Sequence, residues 1–354
     1  AVCVVASLAG ATRLRADFSA LAFYGSEDPE VARVTEWKNV WGKDDAMVLV
    51  VVDATTPEPG GLLTGPRLRA LDALLNTLLD DPGVRSAEGL TGTASLRGDT
   101  AGTLDLSPII DRLPEDEAEV PAFAARLRED PLLVPFLLSA QGDATAIVVE
   151  LDTDPDDIEA LRPAMLGLRA VLETWEATVG APLGLRVGTA GIPAVRTDFF
   201  QLILEDQKVT VPLLMLVLGI MLLLIFRRIH GLAAPAVAAL VPTFMVFGLM
   251  GWRGEPIGIL NQSYFTLLPV IAVADAIHMV SRFHEEVRAR VSPGETPDAA
   301  TRRAAIRTAM AAIGKACFLT SLTTAVGFGS LMSARMPILR GFGGYAALGV
   351  VLAY

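Results

Sequence analysis

Asp275 lies in the middle of an apolar run, LPVIAVADAIHMVSRFHEE, and His278 follows it by three residues. A carboxylate at bilayer depth costs roughly 2.5 to 3.5 kcal/mol on insertion scales, so a chain that keeps one there uses its charge. A carboxylate and an imidazole at i and i+3 of a helix are neighbours, and the imidazole titrates near neutrality, so the pair can hand on a proton. On a 3.6-residue repeat Ile271, Asp275, His278 and Arg282 share one face, with Leu268 above them. Asp275 stands about 10 Å along the helix from Arg282, which sets it near mid-membrane. Thr320 and Thr324 share a face of a later apolar stretch and are the candidate hydrogen-bond partners of the relay. The purely structural alternative is a protonated Asp275 that fixes packing against Thr320, Thr323 or Thr324, with His278 reaching for the interface.

The elements that hold these residues are hydrophobic spans. The chain has 354 residues, 52% of them hydrophobic, a formal charge of -11 and a mean hydropathy of +0.48, which a single soluble domain does not combine. Spans fall near residues 209–226, 231–252, 259–282, 317–332 and 338–354. The first stops at Arg227, Arg228 and His230; Pro235 and Pro242 in the second are tolerable because neighbouring helices satisfy the freed carbonyls. Basic residues crowd the stretch from Arg282 to Lys315, so 283–315 reads as a cytoplasmic loop, and Pro297 to Ile313 suits a helix lying on the leaflet as an orienting anchor. Residues 1–10 (AVCVVASLAG) are too short to cross a bilayer and lack the charged start of a signal peptide. They read as the tail of a first transmembrane helix, and the chain as a fragment of a longer protein.

Charge divides the chain. Residues 11–208 carry 34 acidic and 17 basic side chains, against 6 and 12 in the rest. By the positive-inside rule the acidic region is extracytoplasmic, and nucleic acid is excluded as a partner. Within 11–205 the pattern is α+β. Ser26 or Asp28 caps a helix with Pro29 in its first turn, and Val31, Val34, Trp37 and Trp41 on one face read as core. Strand, helix, strand then occurs twice, as AMVLVVVDA, residues 66–79 and 84–90, and as TAIVVELD, residues 156–179 and LGLRVGTAG. That doubling suggests a split βαβ domain of ferredoxin-like type.

Other motifs carry no chemistry. Asp152, Asp154 and Asp156 begin like a calcium loop, but Asp157 stands where Gly is required and Pro163 where a bidentate Glu is required. Asp154-Pro155-Asp156-Asp157 reads instead as a capped helix start. Cys3 and Cys317 form neither a disulfide framework nor a thiolate metal site. The absence of nucleophile, phosphate-cradling and metal-ligand motifs argues against an ATPase, a hydrolase or any enzyme, and no cofactor is implied beyond the proton as coupling ion.

Three stretches together resemble the RND superfamily, particularly its MMPL-type and hydrophobe-exporter branches. They are GIPAVRTDFFQLILEDQKVTVPLLMLVLGIMLLLIF, VADAIHMVSRFHEE and GKACFLTSLTTAVGFGSLMSARMPILRGFGGYAALGV. The resemblance implies an α-helical membrane bundle, residues 206–354, one RND-type half with an extracytoplasmic α+β porter domain, residues 11–205, inserted after the first span. A second six-span half of the same protein is then expected. The family's proton-coupling acid falls on Asp275. The branch that exports mycobacterial lipids has Tyr after that acid, whereas Ala276 stands here, so the relay partner is His278 or a residue of the other half.

The function implied is export of hydrophobic or lipid-like molecules, driven by the proton-motive force, across a bacterial cytoplasmic membrane in contact with its lipids. A sterol-sensing-type lipid receptor without net transport and a SecDF-like accessory of protein translocation are the alternatives. Substrate identity and homo-oligomer formation are left open.

Overall fold

The computed structural model describes residues 2–17, 24, 28–42, 44–54, 61–94, 107–116, 118–227, 232–292 and 295–354; Ser26, Arg228 and His230 lie outside them. In chain order the elements are α1 (Val2–Ala11), α2 (Pro29–Trp41), β1 (Met47–Ala54), α3 (Gly65–Leu79), β2 (Val84–Glu88), α4 (Val120–Arg128), β3 (Ala144–Leu151), α5 (Ile158–Trp175), β4 (Leu185–Ala190), α6 (Ile192–Phe226), α7 (Ala233–Arg253), α8 (Tyr264–Arg288), α9 (Ala299–Ser330) and α10 (Pro337–Ala353). They form two compact units, Glu36–Phe200 and Ala1–Thr35 with Gln201–Tyr354.

The first unit is built on a four-stranded sheet of order β2-β3-β1-β4, every neighbouring pair antiparallel. β3 separates β1 from β2 and so splits the first strand-helix-strand, the arrangement of a split βαβ sheet. Alternation along β1 buries Val48, Val50 and Val52 and leaves Met47 and Leu49 exposed, as a strand covered on one face requires. The cover is the leucine face of α3 (Leu68, Leu71, Leu74, Leu75, Leu78) and of α5 (Leu161, Met165, Leu168, Leu172).

Two expectations need correction here. α5 starts at Ile158, and its cap is Asp157, which accepts from the backbone N–H of Glu159 and Ala160; Asp154 accepts from Asp156 N in the turn before, and Pro155 precedes the helix. A cap must sit one residue ahead of the first helical turn to reach those N–H groups, and Asp154 is too far upstream. The tryptophans of α2 are not core. The helix buries no residue, Trp37 is 48% and Trp41 75% exposed, and Asp28 accepts from Glu30 N at its start. Helical spacing aligns a face but supplies no partner for it.

The second unit is helical, and α6, α7, α8 and α9 are long and apolar enough to cross a membrane; α10, with 17 residues, is shorter. α1 packs on α7 through small residues. A Cβ on Gly10 would sit 2.1 Å from Gly248 O, and one on Gly251 2.0 Å from Gly10 O, so the backbones touch. The core centres on Val246, Phe247 and Met250 of α7, Tyr264 and Leu268 of α8 and Ala346 of α10. Tyr264 stacks on Phe342 at 5.3 Å and donates its hydroxyl to Phe342 O at 2.9 Å.

Three boundaries differ from the sequence reading. α6 begins at Ile192, well before Val209, because LEDQK favours helix and no breaker interrupts it. α8 continues past Arg282 to Arg288. The 283–315 segment is helical over 283–288 and again from Ala299, where α9 runs on without a break to Ser330. The expected surface helix, residues 297–313, and the expected span, residues 317–332, are thus one continuous helix. Gly314 between them is buried and too weak a breaker to stop a helix packed on its neighbours.

Candidate functional site

α8 and α9 pack against each other, and their contact holds the acid. Ser321 of α9, 6% exposed, donates its hydroxyl to Asp275 Oδ2 at 2.5 Å. The packed side of α9 carries Gly314, Cys317, Ser321 and Ala325, all buried. Small residues at this spacing let two backbones approach closely, which is what brings a side chain as short as serine within reach of an aspartate.

Thr320 and Thr324 do not take this place. Thr320 donates to Cys317 O at 2.8 Å, and Thr324 and Thr323 both donate to Thr320 O, at 2.8 and 2.9 Å. Each hydroxyl is satisfied by its own helix, a habit of threonine in apolar helices. Thr320 nonetheless borders the same cavity as the acid. Ser321 was legible in the sequence only as the one polar member of the small-residue row, a signal that hydropathy alone overlooks.

That cavity, about 640 Å³, is lined on α8 by Asp275, His278, Ser281, Arg282 and Glu285 and on α9 by residues including Cys317 and Thr320. Steps of three and four along α8 align Asp275, His278, Arg282 and Glu285 as one polar ladder running from mid-span to the helix end. His278 is exposed within it, on the same side as Asp275. The lower rungs are tied: Arg282 binds Glu285 at 2.9 Å and Glu286 at 2.7 Å, Arg290 also binds Glu286, and Arg290 Nη2 donates to Thr308 of α9 at 2.9 Å. The ladder thus offers a carboxylate, a hydroxyl and, among the described residues, an imidazole without a hydrogen-bond partner, all bordering one cavity, and these are groups that exchange protons. Among the described residues no three His, Cys, Asp or Glu side chains converge to hold a metal ion.

The α+β unit has a separate cleft of about 540 Å³, lined by Lys38, Arg85, Glu150, Asp152 and Thr153 among others. Arg85 bridges Glu150 at 2.7 Å and Asp152 at 2.9 Å, and Lys38 binds buried Asp45 at 2.5 Å, so both cations of this cleft are held in ion pairs.

Comparison with known proteins agrees with a membrane bundle. The chain is 27% identical over 169 residues to the membrane protein MJ1562 of Methanocaldococcus jannaschii. The match takes in 48% of this chain and 41% of the archaeal protein, so the chain spans less than half the length of that relative. The family model described as "MMPL family" matches residues 44–354, which include most of both units and the whole α8–α9 cavity. A membrane-spanning bundle with this match places the chain in the MMPL family of the RND superfamily, a family of transporters rather than enzymes.

Proposed function

We propose that the protein exports hydrophobic or lipid-like molecules across a bacterial inner membrane and is driven by protons that load and unload Asp275. The observation that carries this reading is a mid-span carboxylate held by Ser321 and open to a cavity that it shares with His278. The energies are matched. Keeping the charge at this depth costs roughly 2.5 to 3.5 kcal/mol, and a hydrogen bond to a charged group returns about 1.5 to 3 kcal/mol. His278, one turn along the ladder, is the exchange partner toward the helix end. One proton crossing 100 mV supplies about 2.3 kcal/mol, enough to bias two arrangements of α8 against α9 that differ by a few kcal/mol.

In this reading residues 11–205 form the periplasmic porter domain, and a second six-span half completes the transporter. The test is Asp275→Asn in the full-length protein, with lipid or hydrophobe export and proton uptake measured together in energised vesicles. Both should vanish at normal protein levels. Export that persists with proton uptake abolished would remove the proton from the mechanism.

A further inference from the structure

The geometry points to an anionic-phospholipid site on the outer side of α9, with the headgroup held between Arg307 and Lys315 and an acyl chain lying along Leu319, Leu322 and Val326. The Ser321–Asp275 contact sets the depth scale. From it α8 extends about 16 Å to Tyr264 and α9 about 14 Å to Ser330, close to half of a 30 Å hydrocarbon core. The bilayer midplane therefore lies near the Asp275 level.

Counting the other way at 1.5 Å per residue, Lys315 is about 9 Å and Arg307 about 21 Å from that level. Side chains on a helix lean toward its N-terminus, so the Lys315 stem carries its ammonium out to the hydrocarbon boundary while the Arg307 guanidinium sits in the headgroup layer. The phosphate of a lipid falls between them. Arg307, Ala311 and Lys315 follow at i, i+4 and i+8, and all three are exposed. Ala311 leaves a slot open between the two cations.

Charge supports the same occupant. Arg282 and Arg290 are paired with Glu286, and Arg303, which continues the row one turn before Arg307, lies about 27 Å from the Asp275 level, beyond the headgroup layer. Among the described residues Arg307 and Lys315 enter no ion pair or hydrogen bond. Below Lys315 the same stripe continues as Leu319, Leu322 and Val326, exposed by 60%, 42% and 64%. Two unneutralised cations above an open apolar stripe match one anionic headgroup and its chain.

The test titrates the purified protein in detergent with dioleoyl phosphatidylglycerol or dioleoyl phosphatidylcholine and counts retained lipid by native mass spectrometry. Phosphatidylglycerol should bind at least about tenfold more tightly. A cation near an anionic surface contributes about fivefold, so Arg307→Gln with Lys315→Gln should weaken it about thirtyfold. Arg307→Lys with Lys315→Arg should restore binding, and Arg302→Gln, five residues from Arg307 and so on another face of α9, should leave it unchanged. Equal affinity for the two lipids, unaltered binding in the double glutamine variant, an equal loss in Arg302→Gln, or displacement by inorganic phosphate would each overturn the site. Lipid retention does not depend on proton coupling, so this result and the Asp275 result stand or fall separately.

Discussion

Replacing Ser321 by alanine removes one hydroxyl from a buried contact and leaves the small-residue packing of α9 on α8 intact. The hydroxyl donates to Asp275 at 2.5 Å, and it is the one hydrogen bond from another helix to that carboxylate among the described residues. A hydrogen bond to a charged group contributes about 1.5 to 3 kcal/mol, and the alanine variant loses that support at Asp275. Thr320 cannot take over, because its hydroxyl is bound to Cys317 O on its own helix. If turnover requires Asp275 to release its proton, the maximal export rate should fall at least about tenfold, with protein level and substrate affinity kept. Ser321→Thr, which retains the hydroxyl, should recover most of the rate. The assay is proton-driven export in vesicles at saturating substrate, alongside substrate binding by equilibrium methods. A Ser321→Ala protein within about twofold of the parent, or a loss of binding equal to the loss of rate, would refute the argument that this contact poises the acid.

Two further predictions concern the frame around the site. Gly248→Val places a branched side chain where a Cβ would already lie 2.4 Å from Ser7 Cα, and backbone cannot yield, so detergent-unfolding stability should drop by about 1 to 3 kcal/mol. Gly219→Ala, with nothing within 4 Å of its new Cβ, should not destabilise, and equal losses in the two would discard the close-packing account of α1 on α7. Asp298 caps α9, and the Thr301 hydroxyl and backbone N–H hold its carboxyl below the usual carboxylate range. The sign follows from linkage: the cap's contribution is complete above the unfolded carboxylate value and fades as pH falls through the lower folded one. Hydrogen-exchange protection in the first turn of α9, taken relative to the intrinsic rate at each pH, should therefore fall in acid, and Asp298→Asn should remove that fall; an unchanged profile in the variant would exclude the cap as its source.

Local signals carried much of the architecture. Short apolar, β-branched runs located β1 and β3 and the LGLRVGTAG segment located β4, each within a residue or two, and the run of leucines at helical spacing located α3. Alternation does not reveal pairing, and the insertion of β3 between β1 and β2 is a property of the assembled sheet. Hydropathy found α7 and α8 because lipid selects apolar side chains whatever the packing. It misjudged α9, since arginines in the first half of a helix look like the end of a span to a composition count. Trp37 and Trp41 share a face by periodicity alone, and only the fold shows that nothing covers it.

The sequence by itself determined that this chain enters a membrane, and it singled out Asp275 as the candidate for proton coupling. A charge in a run of apolar residues is conspicuous without any structure, because the cost of placing it there depends on depth rather than on neighbours. Which hydroxyl serves that charge was decided by tertiary structure. Thr320, Ser321 and Thr324 are near-equivalent polar residues in one stretch, and the choice among them depends on how α9 is rotated against α8. That rotation turns Gly314, Cys317, Ser321 and Ala325 inward, where they are buried, an arrangement that no local pattern encodes.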